Sequence, residues 1–164
     1  MLQEHAKIVD FISMAEGVTG RKKLQKMIFI LKKMGLPFQE KYEFHIYGPY
    51  SEELTARIEE LCDMGFLSEQ LEDKGSYMQY KYTVTKEGMD FRNMLGETKV
   101  ADQAQAAKLN EKSGRFLELT ATLLFFDDLE RAEQIEKLHI VKGKLNFTEE
   151  EIQQAFDFID ELQS

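Results

Sequence analysis

Leu24, Met27, Ile28 and Leu31 recur at offsets of three and four within KLQKMIFILKKMG (Lys23–Gly35), the apolar stripe of an amphipathic helix. The spacing predicts a helix over about 21–34, with Gly35 at the C-terminal cap position and Pro37 barring continuation. Ile8, Val9, Phe11 and Ile12 predict an earlier helix from about Leu2 to Met14, separated from it by the turn EGVTG. Phe38–Ile46 alternates only loosely and reads as a short strand or an extended linker. Gly48-Pro49 is a turn signal, and Ser51 followed by Glu52 and Glu53 opens a third helix. The serine oxygen can cap free backbone N–H groups there, and the acids complement the positive helix end. That helix extends to about Met64 on an apolar face of Leu54, Ile58 and Leu61, with Gly65 closing it. FLSEQL, the polar turn EDKGS and the Tyr-, Val- and Thr-rich YMQYKYTVT read as a β-hairpin, after which Thr85 restarts a helix through about Leu95.

Beyond Lys99 the composition is helical: a polar helix from Ala101, then Phe116–Phe126, Leu129–Leu138 and Thr148–Leu162. Thr148 and Glu151 have the spacing of a capping box. Asp127-Asp128 reads as a cap and dipole partner for the helix starting near Leu129 rather than as an acid/base pair. Leu117, Leu119, Leu123, Leu124, Phe125 and Phe126 exceed what one small helix can bury alone. That segment is either the central core helix or a homodimer interface. The order helix–turn–helix, third helix, hairpin is the outline of a winged helix. The expected fold is therefore mainly α with a small β-hairpin: a winged-helix-like N-terminal core over 1–95 and a helical C-terminal part over 96–164. The stretch GETKVADQ (96–103) is the candidate linker between them.

A chain of 164 residues suits one domain, or a core with a helical extension. One cysteine, Cys62, excludes an intrachain disulfide framework and fits a reducing compartment, where it reads as a small buried hydrophobe. No window nears the ~18 apolar residues of a membrane span, and the N-terminus lacks a signal-like apolar run, so a cytoplasmic protein is expected. The net charge of −9 is uneven: residues 1–60 balance, 61–100 carry −2 and 101–164 carry −7. Within this acidic chain, 17–39 holds Arg21, Lys22, Lys23, Lys26, Lys32 and Lys33 and no acid. The third helix, which would enter the major groove in a DNA-binding winged helix, has Glu52, Glu53, Glu59, Glu60 and Asp63 against Arg57 alone. Phosphate contacts need cations, so this composition argues against nucleic acid and against a transcriptional regulator, the competing reading of the fold.

Candidate chemistry is sparse. His5, His45 and His139 are scattered, without paired cysteines or a metal-loop spacing, and no nucleophile elbow or phosphate-cradling glycine loop occurs. The expectation is a non-enzymatic protein with no cofactor or metal. Lys22, Lys26 and Lys33 share a helical stripe with Phe29: a solvated face, a docking surface for an acidic partner, or a weak RNA or phosphate contact. Tyr42, Phe44, Tyr47 and Tyr50, with Tyr77, Tyr80 and Tyr82 of the hairpin, divide between core and the aromatic composition of protein interfaces. The nominated protein-binding surface is Lys22, Lys26, Phe29 and Lys33 with the Tyr47–Tyr50 corner.

LQKMIFILKKMG, YGPYSEEL and IEELCDMGFL together resemble the Panacea (SocA-like) antitoxin domain and the YwgA-like bacterial proteins. Lys23, Leu24, Gln25 and Lys26 match the opening of the family pattern, and Tyr47, Gly48 and Pro49 match its corner. The similarity is specific over about Gly20–Leu67, while LELTATLLFF and the FTEEEIQQAFDFIDEL ending look more like the YwgA-like branch. The resemblance implies a small helical protein with a winged-helix-like core. Some members neutralise a toxin by direct contact, and one type delivers its toxin to a protease. A protein partner of that kind, or a second copy of the chain, is the implied ligand.

Overall fold

The computed structural model describes residues 2–96, 98 and 100–164. The elements run α1 (Gln3–Met14), β1 (Val18–Thr19), α2 (Arg21–Lys33), β2 (Glu43–His45), β3 (Gly48–Tyr50), α3 (Glu52–Asp63), β4 (Leu67–Asp73), β5 (Met78–Val84) and α4 (Lys86–Leu95). There follow α5 (Gln103–Glu111), α6 (Gly114–Phe125), α7 (Arg131–Lys142), a 3-10 turn (Gly143–Leu145) and α8 (Glu149–Gln163). The protein is mainly α with some β. One antiparallel sheet has the order β1-β5-β4 and a second is the β2-β3 ribbon. Of the expected linker 96–103, Glu97 and Lys99 lie outside the described residues.

Local signals place most helix starts. Ser51 Oγ accepts from the Leu54 N–H at 3.1 Å, Thr85 Oγ1 from the Gly88 N–H at 3.0 Å, and Thr148 with Glu151 completes a capping box. Asp102 and Gln105 form a second capping box. Two expectations are corrected. Gly48-Pro49 lies inside β3, and the chain reverses at Ile46-Tyr47 instead, with Phe44 opposite Pro49. A two-stranded ribbon leaves each strand an edge, where a missing N–H is tolerated. Asp127 caps nothing: α7 begins at Arg131 after an uncapped Glu130, and Asp127 instead pairs with Lys33 at 3.0 Å.

The largest departure concerns α2. Every residue from Leu24 to Leu31 is buried, Lys26 and Phe29 included, because α6 covers the side opposite the N-terminal core. A helix buried all round is a central helix. The apolar surplus of α6 is used within the chain: Leu117, Leu119, Leu123 and Leu124 are buried among α2, α7, α8 and β3. One hydrophobic cluster runs from Ala6 to Leu162.

Gln25 stitches the centre of the fold. Its amide donates to the Ser51 carbonyl and to Thr55 Oγ1, both at 2.9 Å, and its oxygen accepts the Ser51 N–H at 2.9 Å. This buried clamp fixes the start of α3 on α2. Gln25→Ala should cost about 2 kcal/mol, since the Ser51 N–H would remain buried without an acceptor. Urea denaturation checks this, and a midpoint equal to wild type would mean that water replaces the clamp.

Candidate functional site: a cationic groove

The first turns of α2, the β2–β3 corner, the tip of the β4–β5 hairpin and the start of α6 surround an open groove of about 540 Å³. Its lining includes five cations, Arg21, Lys22, Lys23, Lys26 and Arg115, against one carboxylate, Glu118. Tyr47, Tyr77 and Tyr80 supply aromatic surface. In a protein of net charge −9 this concentrates positive potential in one concavity, where low-dielectric walls strengthen it.

Three of these cations are already engaged. Arg21 donates to Tyr82 Oη at 2.8 Å and to Glu69, and it lies over the Tyr80 ring. Lys23 donates to the Asn110 carbonyl at 2.6 Å, and Arg115 grips Glu151 at 2.8 and 3.1 Å. Lys22 sets its ammonium 3.3 Å from the centre of the Tyr47 ring, a cation–π contact at the rim. Tyr47 and Tyr77 are half exposed there, at 50% and 55%.

Lys26 differs from all of these. It is 2% exposed, and its ammonium has no hydrogen-bond partner among the described residues. Burial pushes its pKa down to about 8; Glu118 partly offsets this, and the neighbouring Lys142 and Lys22 lower it further. Thr122 Oγ1 is likewise buried without a partner. Gly48, at φ +89°, brings the β3 backbone against both. A Cβ there would sit 3.4 Å from Lys26 Cε, 3.5 Å from Glu118 Cγ and 3.6 Å from Thr122 Oγ1. Lys142 reaches in from α7, donating to the Ile46 carbonyl at 2.5 Å with Glu118 3.9 Å away.

Beyond the Lys22–Tyr47 pair lies a smaller hollow of about 280 Å³, lined by Gln25, Tyr50, Thr55, Ile58 and Tyr82 among others. Tyr50 shares a 2.7 Å hydrogen bond with Thr55 there, and Tyr82 donates to Glu69 at 2.5 Å.

Of the six nominated residues, Lys22, Lys26 and Tyr47 meet at the groove, and Tyr50 lines the adjoining hollow with Lys22 and Tyr47. Phe29 is buried, its ring 4.9 Å from Tyr42 and 6.1 Å from Phe125, and Lys33 is bound to Asp127 at the far end of α2. The stripe is thus divided by burial. Arg115, Glu118, Thr122 and Lys142 were missed, although 115, 118 and 122 form a polar stripe at offsets of three and four along a mostly apolar helix. His45 lies beside Tyr50, the two tilted rings 5.0 Å apart, and is 3.8 Å from Glu43. Burial pushes the Cys62 thiol up to about 11, away from thiolate chemistry. Among the described residues no group of three or more His, Cys, Asp or Glu is placed to hold a metal ion, and no helix is long and apolar enough to cross a membrane.

Fold and groove together define a mainly helical protein whose LQKM and YGP segments converge on one cationic site. No protein-family model matches the chain. Over 162 residues it is 49% identical to the "Uncharacterized protein YwgA" of Bacillus subtilis (strain 168), a match covering 99% of this chain and 98% of that protein. The chain belongs to the YwgA family.

Proposed function

We propose that this protein is a non-enzymatic recognition module, adaptor- or antitoxin-like, that binds an acidic segment of a partner protein in the cationic groove. The observation that carries the reading is Lys22 and Lys26, two cations in no ion pair among the described residues, set beside half-exposed Tyr47 and Tyr77 in an acidic molecule. Aromatic surface ringed by charge suits a protein ligand, and the charge selects an acidic one. The order α1-β1-α2-β2-β3-α3-β4-β5-α4, with β5 between β1 and β4, supports reading residues 1–95 as a winged-helix-like core with the β2–β3 ribbon inserted between α2 and α3, in keeping with the resemblance to the Panacea antitoxin domain. Nucleic acid is the less favoured ligand. Glu52, Glu53, Glu59, Glu60 and Asp63 are all exposed on α3, while Arg57 turns inward to Glu40. A toxin, a protease or a second copy of the chain would each suit if it offers an acidic segment.

A photo-crosslinking amino acid at position 77, introduced in the native host, tests the reading. The expected adduct is one protein, joined through an Asp- and Glu-rich segment and lost on Lys22→Glu. Crosslinked nucleic acid, or no adduct beyond that of the same probe at exposed Ile140, would overturn it.

A further inference from the structure

We infer that Lys26 in the groove wall, with the buried Thr122 and Gly48 packed behind it, is a subsite for one carboxylate group, an aspartate or glutamate side chain of the bound segment. This rests on the reading of the groove as an acidic-segment site and specifies how that segment is anchored.

Buried polar groups in folded proteins are almost all hydrogen-bonded, so each exception needs an explanation. Here two exceptions, the Lys26 ammonium and the Thr122 hydroxyl, flank one point. Both can donate, and neither has an acceptor among the described residues. Glu118 does not fill the role, since it accepts no hydrogen bond from Lys26 and stands 3.9 Å from Lys142. An acceptor from outside the chain would complete the pair.

Charge selects the acceptor. The groups facing Lys26 are Lys22 from its own helix, Lys142 from α7 and Glu118 from α6. Lys22 sits at the rim on Tyr47, so the inner cluster has two ammonium groups and one carboxylate. That leaves one positive charge to neutralise. A carboxylate matches it, whereas a phosphate dianion would leave a surplus negative charge beside Glu118. Gly48 keeps the place open: a side chain there would occupy the space between Lys26 Cε and Thr122 Oγ1. The positive φ of +89° also favours glycine at this position.

A bound carboxylate favours the charged form of Lys26 and returns its pKa toward the ordinary lysine range. Binding near pH 8 should therefore take up about half a proton per site. The probe is an octaglutamate peptide, titrated calorimetrically at pH 8 in two buffers of different ionisation enthalpy. Wild type should show that uptake. Lys26→Met should show none and bind about tenfold more weakly, a loss in the range of one charge-assisted hydrogen bond. Gly48→Ala should weaken binding as well.

If octaglutamate binds without proton uptake, or binds Lys26→Met equally well, the subsite falls while the groove reading stands. If octaglutamate does not bind, the groove reading falls, and glutarate and inorganic phosphate are used as probes. The Lys26 side-chain resonance is then followed by NMR across pH. Glutarate should raise its pKa at lower concentration than phosphate does; no movement with glutarate, or half-saturation at a lower concentration of phosphate, overturns the carboxylate subsite.

Discussion

Replacing Lys26 by methionine should make the empty protein more stable at pH 7, by about 3 kcal/mol. The value follows from the fall of the Lys26 pKa from 10.5 to about 8, at about 1.36 kcal/mol per tenfold change in proton affinity. The unfolded chain holds this proton up to about 10.5, whereas the folded protein releases it near 8. Below pH 8 both states are charged and the fold carries the whole cost of burying an unpaired ammonium. Between pH 8 and 10.5 the unfolded state binds more protons, so this contribution to stability rises with pH. Above 10.5 both states are neutral and the cost has gone. The advantage of Lys26→Met should therefore shrink steadily from pH 8 to 10.5. Cys62 and Tyr82 act in the opposite sense, their protons being held more tightly in the folded state, but they are present in both proteins and cancel in the difference. Urea denaturation of both proteins at pH 7, 9 and 10.5 measures it. A variant less stable than wild type at pH 7 would show that the ammonium is satisfied within the fold, removing the reason for an external anion. A stabilised variant that binds its ligand poorly would show a residue kept at the expense of stability, the usual mark of a functional site.

The features legible in the sequence are those set by neighbours along the chain. Ser51, Thr85 and Thr148 cap helices because the N–H groups they accept lie three residues away, and the α2 stripe is a matter of spacing. The environment of Lys26 is not of that kind. Its burial comes from α6, about ninety residues later, and its charged neighbours Glu118 and Lys142 come from two further helices. Read alone, Lys22, Lys26 and Lys33 are equivalent members of a basic stripe. In the fold one is at a groove rim, one is buried and unpaired, and one is paired with Asp127. The reversal at Ile46-Tyr47 was equally hidden, since it uses neither Gly nor Pro and the turn-forming pair Gly48-Pro49 lies in the strand that follows. What could have been read is the polar stripe Arg115, Glu118 and Thr122. A carboxylate and a hydroxyl four residues apart on a mostly apolar helix mark the side on which it meets something polar, whereas the Thr120 hydroxyl is returned to its own helix at the Phe116 carbonyl.

Gly88→Ala should destabilise the protein by about 3 kcal/mol, at the upper end of overpacking costs. On propensity alone the change would help, because alanine is favoured over glycine within a helix by about 1 kcal/mol. Packing reverses the sign. A Cβ on Gly88 would lie 2.1 Å from the Phe66 carbonyl oxygen and 2.9 Å from Val84 Cγ1. The nearer atom is backbone and is already fixed, since that carbonyl accepts the Thr85 N–H at 3.1 Å. Thr85 in turn caps α4 through the Gly88 N–H, and Phe66 stacks on Phe91 with ring centres 4.5 Å apart. Relief of the clash must move α4 away from the base of the β4–β5 hairpin and disturb the cap and the ring stack together. Gly114→Ala is the matched control: it lies in the first turn of α6, with nothing within 4 Å of the added methyl, and should be neutral or slightly stabilising. Urea midpoints of the two variants separate the effects. A Gly88→Ala protein within about 1 kcal/mol of wild type would mean that α4 is free to shift on the hairpin. The tip of that hairpin, with Tyr77 and Tyr80, forms one wall of the cationic groove, so a displaced base should also weaken binding of an acidic segment there.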